Sequence, residues 1–96
     1  MWKVGNRRRG DRGEYVGRPS PLGNPFAMRD ESQRDAVVDA YARWLEARMQ
    51  ENGPQRAEIE RLAASPDGTL ICWCAPSRCH ADVISHWIDR VRDGRA

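Results

Sequence analysis

Apolar residues recur at three- and four-residue steps in two parts of this chain. From about Asp30 to Met49 the series Val37, Val38, Tyr41, Trp44, Leu45 and Met49 marks one face of a helix, while Arg34, Asp35, Asp39, Arg43 and Glu46 fall elsewhere. Asp30 or Ser32 is placed to accept hydrogen bonds from the free first-turn amides, and Asn52-Gly53-Pro54 supplies the stop. The same period returns over residues 79–91 in Val83, Ile84, Trp87, Ile88 and Val91. A shorter helix is expected from Pro54, tolerated in a first turn, to about Ala64, with Ile59, Leu62 and Ala63 inward, and Ser65-Pro66-Asp67-Gly68 turns the chain after it.

The other patterned stretches have the character of strands. Residues 69–74 form a near-continuous apolar run of strand length, the form taken by a strand buried on both faces of a parallel sheet. Residues 2–6 and 14–16 carry β-type residues on either side of a polar turn, GNRRRGDRG. After them comes GRPSPLGNPF, residues 17–26, whose three prolines and two glycines exclude a regular helix or a central strand. It is a shaped loop, with Phe26 expected to plug the core. Strand, loop, helix, helix, strand, helix is the order of a small α/β layer fold in one domain, residues 1–96.

Composition narrows the function classes. Forty per cent hydrophobic residues with four tryptophans suffice for one core, and 31% charged residues is not the profile of a disordered chain. A net charge of +2 does not favour nucleic acid as a partner, although Lys3, Arg7, Arg8, Arg9, Arg12 and Arg18 make the first fifth distinctly basic. No apolar run approaches the roughly 20 residues that cross a bilayer and no charged-then-apolar leader is present, so a cytoplasmic protein without a membrane partner is expected. Three cysteines in a reducing compartment remain thiols.

All three cysteines fall in LICWCAPSRCH, with His80 beside the last of them. In open α/β sheets, ligands sit beyond the carboxyl ends of the strands. Both unusual loops occupy that position, and if their strands are neighbours they line one cleft. In the first loop Gly17 and Gly23 permit close backbone approaches, Asn24-Pro25 is a turn signal, and Arg18 and Ser20 can donate to an anion. In the second, Cys79 and His80 stand at the positive end of the final helix, which favours thiolate.

Three readings of the cysteine cluster compete. A zinc module has the right ligand types, but C-x-C-x4-C-H departs from the usual paired knuckles. Cys72 and Cys74 on one strand face would stand about 6.6–7 Å apart, against sulfurs near 3.8 Å in a tetrahedral site with Zn–S bonds of about 2.3 Å. The second reading is a reactive Cys79 or Cys74 assisted by His80. The third is a buried Cys72 with Cys74, Cys79 and His80 shaping a pocket wall. His86 reads as an ordinary surface or boundary residue, and Trp44 and Trp87 as core. An exposed Trp73 would favour a protein-binding surface.

YVGRPSPLGNPF, AVVDAYARWL and LICWCAPSRCHADV together resemble the domain-of-unknown-function family 4326, a set of small bacterial and bacteriophage proteins. The resemblance implies that Gly17, Arg18, Gly23, Asn24, Pro25, Phe26, Cys72, Trp73, Cys74, Pro76, Cys79, His80 and Asp82 match its motif positions. The second loop is also locally similar to family 488, which implies a Rossmann-like layout, though Ala75 and Ala81 stand where that group has an acidic and a basic residue. The expectation is therefore a small single-layer Rossmann-like sheet, at least partly parallel, with about three helices. Its cleft is expected to bind a nucleotide or other phosphate-bearing small molecule through Arg18, Ser20, Gly23, Asn24 and Asp82, with thiol chemistry at Cys79, His80 and Cys74, no bound metal and an unidentified cofactor. The alternatives are a non-catalytic protein that binds a host protein, and a zinc-binding module.

Overall fold

The apolar run that ends at Cys72 becomes the middle of the sheet. In a computed structural model describing residues 2–73 and 78–94, the strands are β1 (Lys3–Asn6), β2 (Glu14–Tyr15) and β3 (Thr69–Cys72). The helices are α1 (Arg34–Met49), α2 (Pro54–Ala64) and α3 (His80–Arg92), with single 3₁₀ turns at Arg7–Arg9 and Glu31–Gln33. The sheet order is β1-β3-β2 and both pairings are parallel, Asn6 standing opposite Cys72 and Tyr15 opposite Ile71. Leu70, Ile71 and Cys72 are all buried, as a strand flanked on both edges and covered on both faces must be.

The stretch between β1 and β2 is more than a solvated turn. It carries the chain from one edge of β3 to the other, since the two strands never pair with each other. Asp11 Oδ2 accepts from the Asn6 N–H at 2.8 Å and steadies this link. Gly13 passes so near the start of β3 that a Cβ there would lie 2.1 Å from the Thr69 carbonyl oxygen, so no other residue fits without moving the strand.

The helical periods fold as the pattern predicts. α3 lies against β1 and β3, and α1 and α2 pack on it and on each other. Tyr41 and Leu45 of α1, Ile59 and Leu62 of α2, and Ile84 and Ile88 of α3 meet Leu70 in the core. Trp87 is buried and Trp44 packs half-buried against the same cluster. Among the described residues no helix is long and apolar enough to cross a membrane.

Several boundaries differ from expectation for local reasons. Asp30 caps the 3₁₀ turn, its Oδ1 accepting from the Ser32 N–H at 2.9 Å, so α1 itself begins only at Arg34. β3 stops at Cys72, opposite Asn6, where the neighbouring chain leaves β1 for the Arg7–Arg9 turn; residue 74, the expected end of the strand, lies outside the described residues. Val83 and Ala63 are half-buried at the edge of the core. Phe26 does not plug the core; it is 37% exposed, and Leu22 is the fully buried residue of its loop.

Leu22 also explains how a proline-rich loop is held on the domain. Its side chain enters the core, and its carbonyl accepts a 2.7 Å hydrogen bond from the buried Tyr41 hydroxyl on α1. Tyr41→Phe keeps the ring and strands that carbonyl without a donor, which costs about 1–3 kcal/mol. Urea unfolding of the variant should show a loss of that size at an unchanged slope, and an unaltered midpoint would contradict this anchoring.

Candidate functional site

β2 and β3 are neighbours, so the loop after β2 and the described residues that follow β3, Trp73 and Arg78 to His80, meet at the carboxyl edge of the sheet. Between them lies a cavity of about 360 Å³, within the range of small-molecule sites. Gly17, Arg18 and Asn24 line it from the first loop, and Cys72, Trp73, Cys79 and His80 from the second. Arg34, Val37 and Val38 of α1 form part of the wall.

His80 is the first residue of α3 and is buried. Its Nε2 lies 2.8 Å from the Val16 carbonyl oxygen. A carbonyl can only accept, so Nε2 carries the proton and Nδ1 of the neutral ring is a lone-pair acceptor. The Tyr41 ring meets the imidazole edge-on, at 5.1 Å between centroids and 78° between planes. Burial holds the His80 pKa below its ordinary value and the nearby Arg18 charge adds to this, while the Val16 hydrogen bond and the Asp82 charge act in the opposite sense. Burial, with the charge of Cys79 as a smaller contribution, likewise pushes the Tyr41 phenol upward, so it remains a donor.

Arg18 sits in the exposed part of the first loop and has no carboxylate partner among the described residues. Several other arginines are differently placed: Arg9, Arg34, Arg48, Arg56, Arg61, Arg78 and Arg92 each have an acidic neighbour. The loop that presents Arg18 is braced from within. Ser20 N–H donates to the Gly17 carbonyl and Gly23 N–H to the Ser20 carbonyl, each at 2.9 Å, and Ser20 Oγ accepts from the Leu22 N–H at 3.2 Å. Gly23 lies so close to Arg18 that a Cβ would come within 2.9 Å of its backbone. Ser20 and Gly23 therefore shape the loop and do not line the cavity. Asn24 closes the loop by accepting from the Phe26 N–H through Oδ1 at 2.9 Å, which leaves its amide as a donor.

At the second loop the thiol environment differs from an exposed nucleophile. Cys79 is 2% exposed and its Sγ lies 3.1 Å from Sγ of Cys72, so the two thiols form one buried pair in the cavity wall. Asp82 is not among the lining residues. Its carboxylate accepts from the Cys79 N–H at 3.0 Å and caps α3, and it faces a separate groove between α1 and α3. That carboxylate already answers the positive end of the helix. Cys74 lies outside the described residues. Among the described residues no three Cys, His, Asp or Glu side chains are grouped so as to hold a metal ion.

The apolar walls are the part of the site that the sequence pattern leaves least visible. Phe26, Met28 and Trp73 are the exposed large hydrophobic side chains of the described residues, and all three line this cavity. Tyr15 joins them: its hydroxyl accepts from the Trp73 Nε1–H at 3.1 Å and donates to the Arg18 carbonyl at 3.0 Å. A hint was present in the strand period, which turns Trp73 away from the face that buries Cys72.

Comparison with known proteins adds a family. An uncharacterised 12.4 kDa protein from the nrdA-td intergenic region of Enterobacteria phage T4 is 26% identical over 91 residues, covering 95% of this chain and 81% of its own. No solved structure matches significantly. A family model for a domain of unknown function, DUF4326, matches residues 3–90, and the chain belongs to that family.

Proposed function

We propose that this cleft binds a phosphate-bearing small molecule, with the phosphate on Arg18 and the remainder of the ligand against the apolar walls. The observation that carries this reading is Arg18. A guanidinium with no carboxylate partner among the described residues stands over a cavity at the carboxyl ends of two parallel strands, and its planar fork matches phosphate oxygens. The Asn24 amide offers a further donor, and neutral His80 offers an acceptor through Nδ1 for a ligand hydroxyl or amine. The Cys72–Cys79 pair borders the same space and sets two buried thiols against the ligand. The family assignment and the phage relative are compatible with this reading and say nothing for or against it.

A second reading has its own support. Phe26, Met28 and Trp73 exposed around one concavity also suit a side chain from a partner protein. The two readings part at Arg18. With ribose 5-phosphate and adenosine monophosphate as probes, the phosphate site predicts a rise in melting temperature that Arg18→Ala removes and Arg18→Lys retains in part. Stabilisation by neither probe would count decisively against it. Capture of one stoichiometric partner that is indifferent to Arg18→Ala would select the second.

The acceptor role of His80 requires a neutral ring, and this has a pH signature. The unfolded chain takes up a proton near the ordinary value of 6.5, while the folded chain resists protonation. Stability is therefore complete above that pH and declines as the pH falls from it toward the lowered folded value. In His80→Gln the amide can still donate to Val16 but does not titrate. Denaturation midpoints measured from about pH 7 down to about pH 5.5 should fall more steeply for the natural protein than for the variant, and equal slopes would contradict the assignment.

A further inference from the structure

We infer that the ligand of this cleft carries a nucleobase, and that Trp73 is the platform on which the base stacks. The inference rests on reading the cleft as a phosphate site, and it goes on to choose nucleotides over sugar phosphates.

A sugar phosphate presents hydroxyls and charge, which three exposed apolar side chains cannot satisfy. A nucleotide is a phosphate joined to a flat aromatic ring, and it needs both the Arg18 end and an apolar end. The cavity supplies these together.

Trp73 is 48% exposed, yet it is not a loose surface side chain. The indole N–H is engaged by the Tyr15 hydroxyl, and the Trp73 carbonyl accepts from Asn6 Nδ2 at 3.3 Å. A ring whose polar edge and backbone are both fixed, and which remains half-exposed, loses little further freedom when a base stacks on it.

The Arg7 guanidinium lies 4.9 Å from the Tyr15 ring centre and 5.7 Å from that of Trp73, and the Arg8 guanidinium lies 5.9 Å from Trp73. Neither arginine has a carboxylate partner among the described residues. They place positive charge beside the aromatic pair, and Arg18 adds more in the cavity lining. Such a rim favours an anionic ligand with a π-system, and aromatic rings flanked by arginines are the usual means of holding bases without reading their edges. An apolar side chain from a protein partner would gain nothing from these charges.

The experiment is a calorimetric titration of the full chain with adenosine monophosphate, uridine monophosphate and ribose 5-phosphate, repeated for Trp73→Ala and Trp73→Phe. Stacking predicts that both nucleotides bind more tightly than the sugar phosphate, by roughly 5- to 100-fold. Trp73→Ala should erase that advantage, with far-ultraviolet circular dichroism showing that the variant is folded. Trp73→Phe should keep most of the advantage. Equal affinity for all three ligands, unaltered by either substitution, would overturn the nucleobase inference and leave the phosphate site standing. Failure of every ligand to bind would overturn both.

Discussion

Val16 gives its N–H to the Ile71 carbonyl at 3.0 Å, extending the ladder between β2 and β3, and its carbonyl to His80 Nε2 at 2.8 Å. One residue thus joins the loop after β2 to the first turn of α3. Without this second bond the two loops would share a sheet edge but not a fixed separation, and the cavity between them would have no defined width. The bond is shielded from water by the Tyr41 ring, which packs edge-on against the imidazole while its hydroxyl holds Leu22. Loop, helix and central strand are therefore tied by a short chain of buried polar contacts, each of which would be costly to leave half-made.

Charge is arranged around that centre with two different purposes. Arg78 pairs with Asp35 and Asp39 of α1 at 2.9 Å each, and Arg34 donates to the Arg78 carbonyl at 2.8 Å, so the approach to α3 is fastened to α1. Exposed pairs of this kind add little stability individually, but they fix where the second loop re-enters the fold. Arg7, Arg8 and Arg18 lack such partners among the described residues; Arg18 lines the cavity, and Arg7 and Arg8 lie against the Tyr15 and Trp73 rings that form part of its wall. A net charge of only +2 conceals this local excess, because the pairing elsewhere balances it.

The helices were legible because burial repeats at the helical period, and Val38, Tyr41, Leu45 and Met49 are the buried positions of α1. The parallel central strand was legible because its apolar run lacks alternation. Strand order was not, since nothing local distinguishes a turn between paired strands from a link that crosses β3, apart from a glycine whose close approach to Thr69 only the fold shows. The choice of Leu22 over Phe26 for the core depended on the path of an aperiodic loop. That Arg18, Asn24, Cys79 and His80 lie in loops or at a helix start was legible because glycines, prolines and cysteines mark such places, whereas the meeting of Cys72 with Cys79 and of Tyr15 with Trp73 depends on distances across the strand edge. Asp82 was read as a ligand contact because a carboxylate at a helix start serves capping and binding equally well in sequence.

The proposed ligand site has a definite location, between the residues that the Val16–His80 hydrogen bond holds together. Two-dimensional amide NMR of the labelled chain during titration with adenosine monophosphate measures that location directly. The account predicts that shifts concentrate at Gly17, Arg18, Asn24, Cys79 and His80 and at the Trp73 indole N–H, with α2 unperturbed. Shifts gathered instead along the groove of Arg78, Asp82 and His86, or scattered over exposed arginines without saturation, would contradict it.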